Sequence, residues 1–353
     1  MVKVVFALLI IQLLYSCNSL LGPDPEHTPV EAFETIWKEI DYSYAYFDRN
    51  DVSWDSLYNL YRPMVNENTT REELNDILDE MLGSLNDKHL VVIDYSFTEI
   101  DSAQFEEMFG NLPPYDHHRY YFFPKRWGNN WIQSVFITGR IMNANVGYIY
   151  IPTMESYADT YSELATIMDS IIVDFAETEG IIIDIRGNGG GKKKFIETVA
   201  ARFVDTTRNY AKSRFRNGPG HNSFTDYNYH TVTPSKNPYR KPVVLLTDSS
   251  TGSAAEWFTV ALRECPHVIH AGSKTAGTFG SITYKWMPYD YLLSVTVAQV
   301  KALDVPEVQG YGIDPHVTLE QRFPDHPERD SMIEDAIELI REHSSKIIAK
   351  YGK

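Results

Sequence analysis

Apolar positions along the chain change their spacing twice. Between residues 30 and 83 they recur as on helices: Val30, Phe33, Ile36, Trp37 and Ile40 share one face. A second helix is predicted near Trp54 to Tyr61. A third opens at Thr70, an N-cap with Glu73 three residues on, carries Leu74, Ile77, Leu78, Met81 and Leu82 on one face, and stops at Gly83. Three such helices predict a small N-terminal bundle. Residues 91 to 145 follow the loop SLNDKH, begin within the apolar strand LVVI, and read as irregular strands and loops around NLPPYDHH and RWGNN. From Val146 short apolar strands alternate with amphipathic helices: VGYIYI, a helix near 157 to 176, IIIDI, a helix near 193 to 204, VVLLT, and a helix near 253 to 263. Strand, helix, strand order implies parallel pairing with crossover helices, an α/β fold. Met332, Ile333, Ala336, Ile337 and Ile340 mark a closing amphipathic helix.

The first 16 residues are different. Lys3 precedes a largely apolar run from Val4 to Leu14, too short to span a bilayer and matching a secretory signal. Leu14-Tyr15-Ser16-Cys17 resembles a bacterial lipobox, so Cys17 is the expected lipid site and residues 17 to 29 a tether. The expected organisation is a signal over 1–16, a tether over 17–29, a helical domain over 30–90, a mixed segment over 91–145 and a catalytic domain over 146–353. The expected location is the periplasmic or cell-surface side of the envelope, anchored to a membrane, the outer one by preference, through the lipid alone. With 48 acidic against 32 basic side chains, the net charge of −16 argues against nucleic acid as a partner. The second of the two cysteines, Cys265, has no obvious partner, so no disulfide framework is implied.

Two segments carry candidate chemistry. IIIDIRGNGGG (residues 181–191) runs an apolar strand into a glycine turn, where backbone N–H groups can point at negative charge. A phosphate loop needs GxxxxGK followed by Ser or Thr. Here the spacing is one residue short and Lys193 follows, which leaves an oxyanion hole or a plain strand-to-helix turn. VVLLTDSSTGSAAEWFTVALRE (residues 243–264) breaks a strand into a small polar loop and a helix that opens at Ser253. Ser253-x-x-Glu256 fits a capping box, and equally a nucleophilic serine beside free helix N–H donors. A serine needs a base, and of 11 histidines His89 stands at a helix-to-strand junction that can aim an imidazole. His117, His118, His221, His230, His267 and His270 read as surface or structural. No HExxH spacing appears, and neither a metal nor another cofactor is implied.

IIIDIRGNGGG, TGSAAEWFTVAL, AGSKTAGTFG and GYGIDPHVTL, in this order, resemble the blocks of the serine peptidases that include tail-specific (C-terminal processing) proteases and the tricorn core protease. The stretch from VEAFETIWKEI to MLGSLNDKHL resembles the helical N-terminal domain of lipoprotein members from Bacteroidota-type bacteria. The resemblance implies a crotonase-like (ClpP-like) αββ core, with Ser253 as nucleophile and Ala254 with Gly189 or Gly190 as the oxyanion hole. The processing proteases take a lysine base from a T-x-G-K-G block. Here Thr278 stands in its place, and Lys274 lies four residues too early. The tricorn-like branch takes a histidine, and His89 matches it, with Lys88 where that branch has a serine. The carboxylate orienting that histidine falls where this chain has Gln309. Glu307, two residues earlier, would share its face on a strand. The stretch between Leu90 and Val146 is too short for the PDZ domain common in the family. The expected function is a lipid-anchored serine endopeptidase acting on peptides or proteins. The alternative, motivated by Thr278, Lys88 and Gln309, is an inactive protein that binds a peptide or apolar ligand on the same fold.

Overall fold

In a computed structural model the chain is described over residues 28–49, 52–96, 125–127, 136–155, 160–322 and 329–351. The expected signal, Cys17, nearly all of the tether, His117, His118 and much of the 91–145 segment lie outside the described residues.

The N-terminal helices are α1 (Pro29–Ser43), α2 (Trp54–Tyr61) and α3 (Arg71–Gly83). Thr28 caps α1 by accepting the Glu31 N–H, with Pro29 in the first turn. Thr70 and Glu73 close a reciprocal capping box on α3. The inward faces match the periodicity, with Phe33, Ile36, Ile40, Leu74, Leu78 and Met81 all fully buried. The helices do not close a core of their own. Tyr291, Leu293 and Val295, from a strand some two hundred residues downstream, complete it. The expected bundle is therefore one wall of a larger unit, because three short helices bury too little without a sheet against them.

The strands are β1 (Val91–Asp94), β2 (Lys125–Trp127), β3 (Phe136–Arg140), β4 (Val146–Tyr150), β5 (Gly180–Asp184), β6 (Arg208–Phe215), β7 (Asn228–Val232), β8 (Val243–Thr247), β9 (Val268–Gly272), β10 (Ser281–Met287), β11 (Tyr291–Ala302) and β12 (Val317–Thr318). The remaining helices are α4 (Tyr161–Asp174), α5 (Lys193–Ala200), α6 (Ala254–Leu262) and α7 (Ser331–Tyr351). A seven-stranded sheet runs β12-β9-β8-β5-β4-β3-β2, parallel from β12 through β4 and antiparallel at β3 and β2. Its faces follow the period of two. Ile181, Ile183, Val243 and Leu245 face α4, α5 and α6, whereas Ile182, Val244 and Leu246 face Ile333, Ala336 and Ile340 of α7. Each of the fully buried Ile, Val and Leu side chains contributes roughly 1.5–3 kcal/mol of transfer free energy.

The second sheet is antiparallel and has no counterpart in the sequence-based expectation. Its central strand β11 pairs with β10, β1 and β6, and β7 lies beyond β6. One end of β11 belongs to the core of the N-terminal helices and the other, through Val300 and Ala302, to the core of the parallel sheet. Thus a single long strand couples the helical unit to the α/β unit.

Candidate active site

The parallel strands β5 and β8 end side by side, and the loops that follow them are laced together. Thr251 Oγ1 donates to the Ile185 carbonyl at 3.0 Å, the Gly187 N–H donates to Asp248 Oδ1 at 3.0 Å, and the Gly252 N–H donates to the Asn188 carbonyl at 3.0 Å. Asn188, fully buried, donates from Nδ2 to the Ile151 carbonyl at 2.8 Å. Behind the turn, Arg186 bridges Asp184 (2.6 Å) and Asp330 (2.7 Å), fastening it to the start of α7. A buried charge of this kind is tolerable only when paired.

Ser253 stands at the tip of the second loop with φ 53° and ψ −122°, a region costing of order 1–3 kcal/mol for a residue with a Cβ. Such strain persists only where surrounding bonds over-determine it. Here the Ser253 N–H donates both to Thr278 Oγ1 (3.0 Å) and to Glu256 Oε2 (3.2 Å). The Glu256 N–H donates to the Ser253 carbonyl oxygen at 2.9 Å. Gly190, at φ +113°, lies directly against this residue: a Cβ there would stand 2.7 Å from Ser253 Cβ and 2.8 Å from the Ala254 nitrogen. Only glycine leaves that nitrogen open. The Ala254 N–H, first in α6, takes no partner among the described residues and sits at the positive end of the helix dipole.

The two glycines expected to complete an oxyanion hole differ. The Gly190 N–H donates to Asn188 Oδ1 at 2.8 Å, so it is not the open donor expected of it. The turn folds back on its own asparagine, a bond that glycine spacing does not announce. Gly189 is exposed, with open space on its Cβ side, and its N–H takes no partner among the described residues.

Glu256 is the organising group that the sequence reading saw only as a helix cap. Fully buried, its carboxylate accepts from Thr275 Oγ1 (2.5 Å), Gly277 N–H (2.8 Å), Thr278 N–H (2.8 Å), Ser253 N–H (3.2 Å) and Thr278 Oγ1 (3.4 Å). Burial pushes its pKa up, and the bonds from the Thr275 hydroxyl and the three backbone N–H groups pull it back. One carboxylate thus fixes the serine and the whole 275–278 loop. Thr278, in the lysine's position, acts as an acceptor toward the serine amide and not as a base. Lys274 points away to Asp314 (3.1 Å) on the surface.

His89 reaches the same loop from the other side. Its segment is pinned to β11 by Ser294 Oγ donating to the His89 carbonyl (2.8 Å), and to the loop by Lys88 Nζ donating to the Ala276 carbonyl (3.5 Å). The ring nitrogen Nδ1 is buried without a partner among the described residues. Burial lowers the imidazole pKa, opposed by the charge of Asp87 and by the Gly280 backbone, so the ring is held in the neutral form a base requires. Gln309 is buried and accepts the Gly280 N–H at 2.6 Å, one step from His89. Glu307 is exposed. The same-face argument for Glu307 does not apply, because β11 ends at Ala302 and the residues after it form bends and a turn.

The other described histidines are spent elsewhere. His221 pairs with Asp41 (2.8 Å) and stacks on Phe47, His230 bonds Ser213 Oγ (2.8 Å), and His270 bonds Thr247 Oγ1 (2.8 Å). Cys265 is free and buried, which pushes its thiol up to about 11.

The model of peptidase family S41 matches residues 145–319, the segment that holds the glycine turn, Ser253, Glu256 and Thr278, and that of the tricorn protease C1 domain matches residues 25–83. Residues 145–319 are thus a peptidase family S41 segment. Two S41-type relatives are the carboxy-terminal processing proteases CtpB and CtpA of Bacillus subtilis (strain 168). CtpB is 30% identical over 147 residues, covering 41% of this chain and 28% of its own, and CtpA is 29% identical over 182 residues, covering 52% and 36%. The chain therefore spans about a third of the length of these relatives. Among solved structures, a candidate peptidase from Parabacteroides merdae ATCC 43184 superposes with TM-score 0.71 at 25% identity, covering 89% of this chain and 96% of that one. Mature CPAF complexed with lactacystin superposes with TM-score 0.68 at 12% identity, covering 90% and 99%, a likeness of fold.

Proposed function

We propose that this chain is a serine endopeptidase in which Ser253 is the nucleophile, His89 the general base, and the Ala254 and Gly189 amides the oxyanion donors. The observation that carries the reading is Ser253 itself. A strained serine at a helix start, with the neighbouring amide kept open by a glycine that admits no Cβ, is costly for a mere cap and suited to acyl transfer. In the reaction the His89 imidazole takes the hydroxyl proton as Oγ bonds to the scissile carbonyl carbon, and the oxygen's developing charge is received by the two amides. The imidazolium then protonates the leaving nitrogen as the C–N bond breaks. Water, deprotonated by the same imidazole, releases the acyl group. Each well-placed oxyanion donor accounts for about 10²–10³ in rate.

The substrates follow from the family as peptides or proteins. The lipobox-like segment supports attachment through Cys17 to an envelope membrane, facing the periplasm or the cell surface. Two observations favour a second reading, a peptide-binding protein without turnover: Thr278 occupies a base position with an acceptor, and Gln309 brings no charge where the tricorn-like pattern has a carboxylate.

Digestion of an unfolded protein substrate separates the readings. Cleavage by the wild type that is lost in Ser253→Ala supports the peptidase. Tight peptide binding without cleavage between pH 5 and 9 supports the binder. Incorporation of a fatty-acid analogue that disappears in Cys17→Ser tests the anchor.

A further inference from the structure

His89 lacks the carboxylate that its counterpart in the tricorn-like pattern would find near the GYGIDP block, since Gln309 is neutral and Glu307 is exposed. Another carboxylate is closer. Asp87, only 6% exposed, accepts the His89 N–H on Oδ1 at 2.9 Å and the Thr296 hydroxyl on Oδ2 at 3.0 Å. Both donors are neutral, so the negative charge of Asp87 is not cancelled by them. We propose that Asp87 is the positioning residue of His89: it fixes the base's backbone against β11 and supplies the charge that stabilises the imidazolium formed when Ser253 gives up its proton. The inference rests on His89 being the base.

Other ionisable groups surround this segment, and among them the Arg49 charge opposes that of Asp87 on Tyr44 and Tyr46. Lys88 reaches away to Ala276. Arg49 donates from Nη2 to the Asn86 carbonyl at 2.7 Å and its guanidinium lies against Gly310. Tyr44 and Tyr46 are buried beside Asp87 and their phenols are pushed upward, so they stay neutral. Glu307 acts on Tyr46. The Asp87 charge also acts on the His89 ring and opposes the effect of burial on it. Removing it must make the imidazolium harder to form.

The test is the titration midpoint of the His89 ring by NMR, together with the rate at which a fluorophosphonate modifies Ser253, in the wild type, Asp87→Asn, Asp87→Glu and His89→Ala. Asp87→Asn is expected to lower the midpoint by about one pH unit and the plateau labelling rate about tenfold, since one unit corresponds to a factor of ten. Asp87→Glu, which keeps the charge, is expected to restore most of the midpoint. Wild-type midpoint and rate in Asp87→Asn, with His89→Ala slow, overturn the role of Asp87 alone. Labelling of His89→Ala at the wild-type rate overturns the underlying reading of His89. If Asp87→Asn does not fold, Thr296→Val decides: stripping the hydroxyl from Oδ2 leaves the carboxylate's field stronger and must raise the midpoint, and an unmoved or lower midpoint overturns the proposal.

Discussion

The serine half and the histidine half of the site are built on opposite plans. Around Ser253 the constraints are many and redundant: two adjacent parallel strands, two laced loops, and one buried carboxylate with five donors. Around His89 the constraints are few and long-range, running from the end of α3 to β11 and to the 276–280 loop, and one ring nitrogen is left without a partner. The first half spends hydrogen bonds to hold a strained backbone. The second leaves an imidazole neutral and free to accept a proton. A nucleophile is useful only in one geometry, whereas a base must exchange partners, and the contrast fits the two tasks proposed for Ser253 and His89.

The largest expected break in this contrast is Glu256→Gln. An amide offers one acceptor where two oxygens now meet three backbone N–H groups and two hydroxyls, so at least one buried donor is stranded. Unfolding by urea should show a loss of about 3 kcal/mol or more, against about 1 kcal/mol or less for His89→Ala. Equal losses would mean that the two halves are not differently built. Next comes a pair of glycines. Gly190→Ala forces a Cβ onto Ser253 and the Ala254 nitrogen at positive φ, and should cost about 1–3 kcal/mol and abolish labelling of Ser253. Gly189→Ala has open space and should stay within about 0.5 kcal/mol. Thr278→Val removes one of the two acceptors of the Ser253 N–H and should cost about 1 kcal/mol, read by the same unfolding curves.

The smallest effect is on pH dependence, where the halves have opposite signs. The folded pKa of His89 lies below its ordinary 6.5, so protonation favours the unfolded chain and stability falls as the pH drops below 6.5. That of Glu256 lies above its ordinary 4.5, so its contribution is intact at low pH and is lost as the pH rises through the folded value. His89→Ala should therefore flatten the decline in Tm between pH 6.5 and 5. A steeper decline would contradict the assignment of a neutral, buried ring.

The difference between the halves also explains what could be read from the sequence. Ser253, the glycine turn and the parallel strands were legible because each sits in a continuous segment whose period and turn residues encode it. The capping-box spacing revealed Glu256 as a neighbour of Ser253. Its grip on Thr275, Gly277 and Thr278 was invisible, since it depends on how a loop some twenty residues on folds back. The occupation of the Gly190 amide by Asn188 is equally a matter of turn conformation. The antiparallel sheet went unread because β6, β10 and β11 alternate only in part and carry exposed aromatics such as Tyr284 and Trp286, which blur the period of two. Without β11 the bundle looked self-contained, and Asp87 looked like a loop residue.

The central claim is that two halves of such different construction meet as nucleophile and base. The most direct measurement is the second-order rate constant for fluorophosphonate modification of Ser253 as a function of pH, in the wild type and in His89→Ala. The account predicts modification of Ser253 in the wild type with an acid limb set by one ionisation, and in His89→Ala a rate lower by about 100-fold or more with that limb gone. A wild type that is not modified at any pH, or a His89→Ala protein with an unchanged profile, would contradict it.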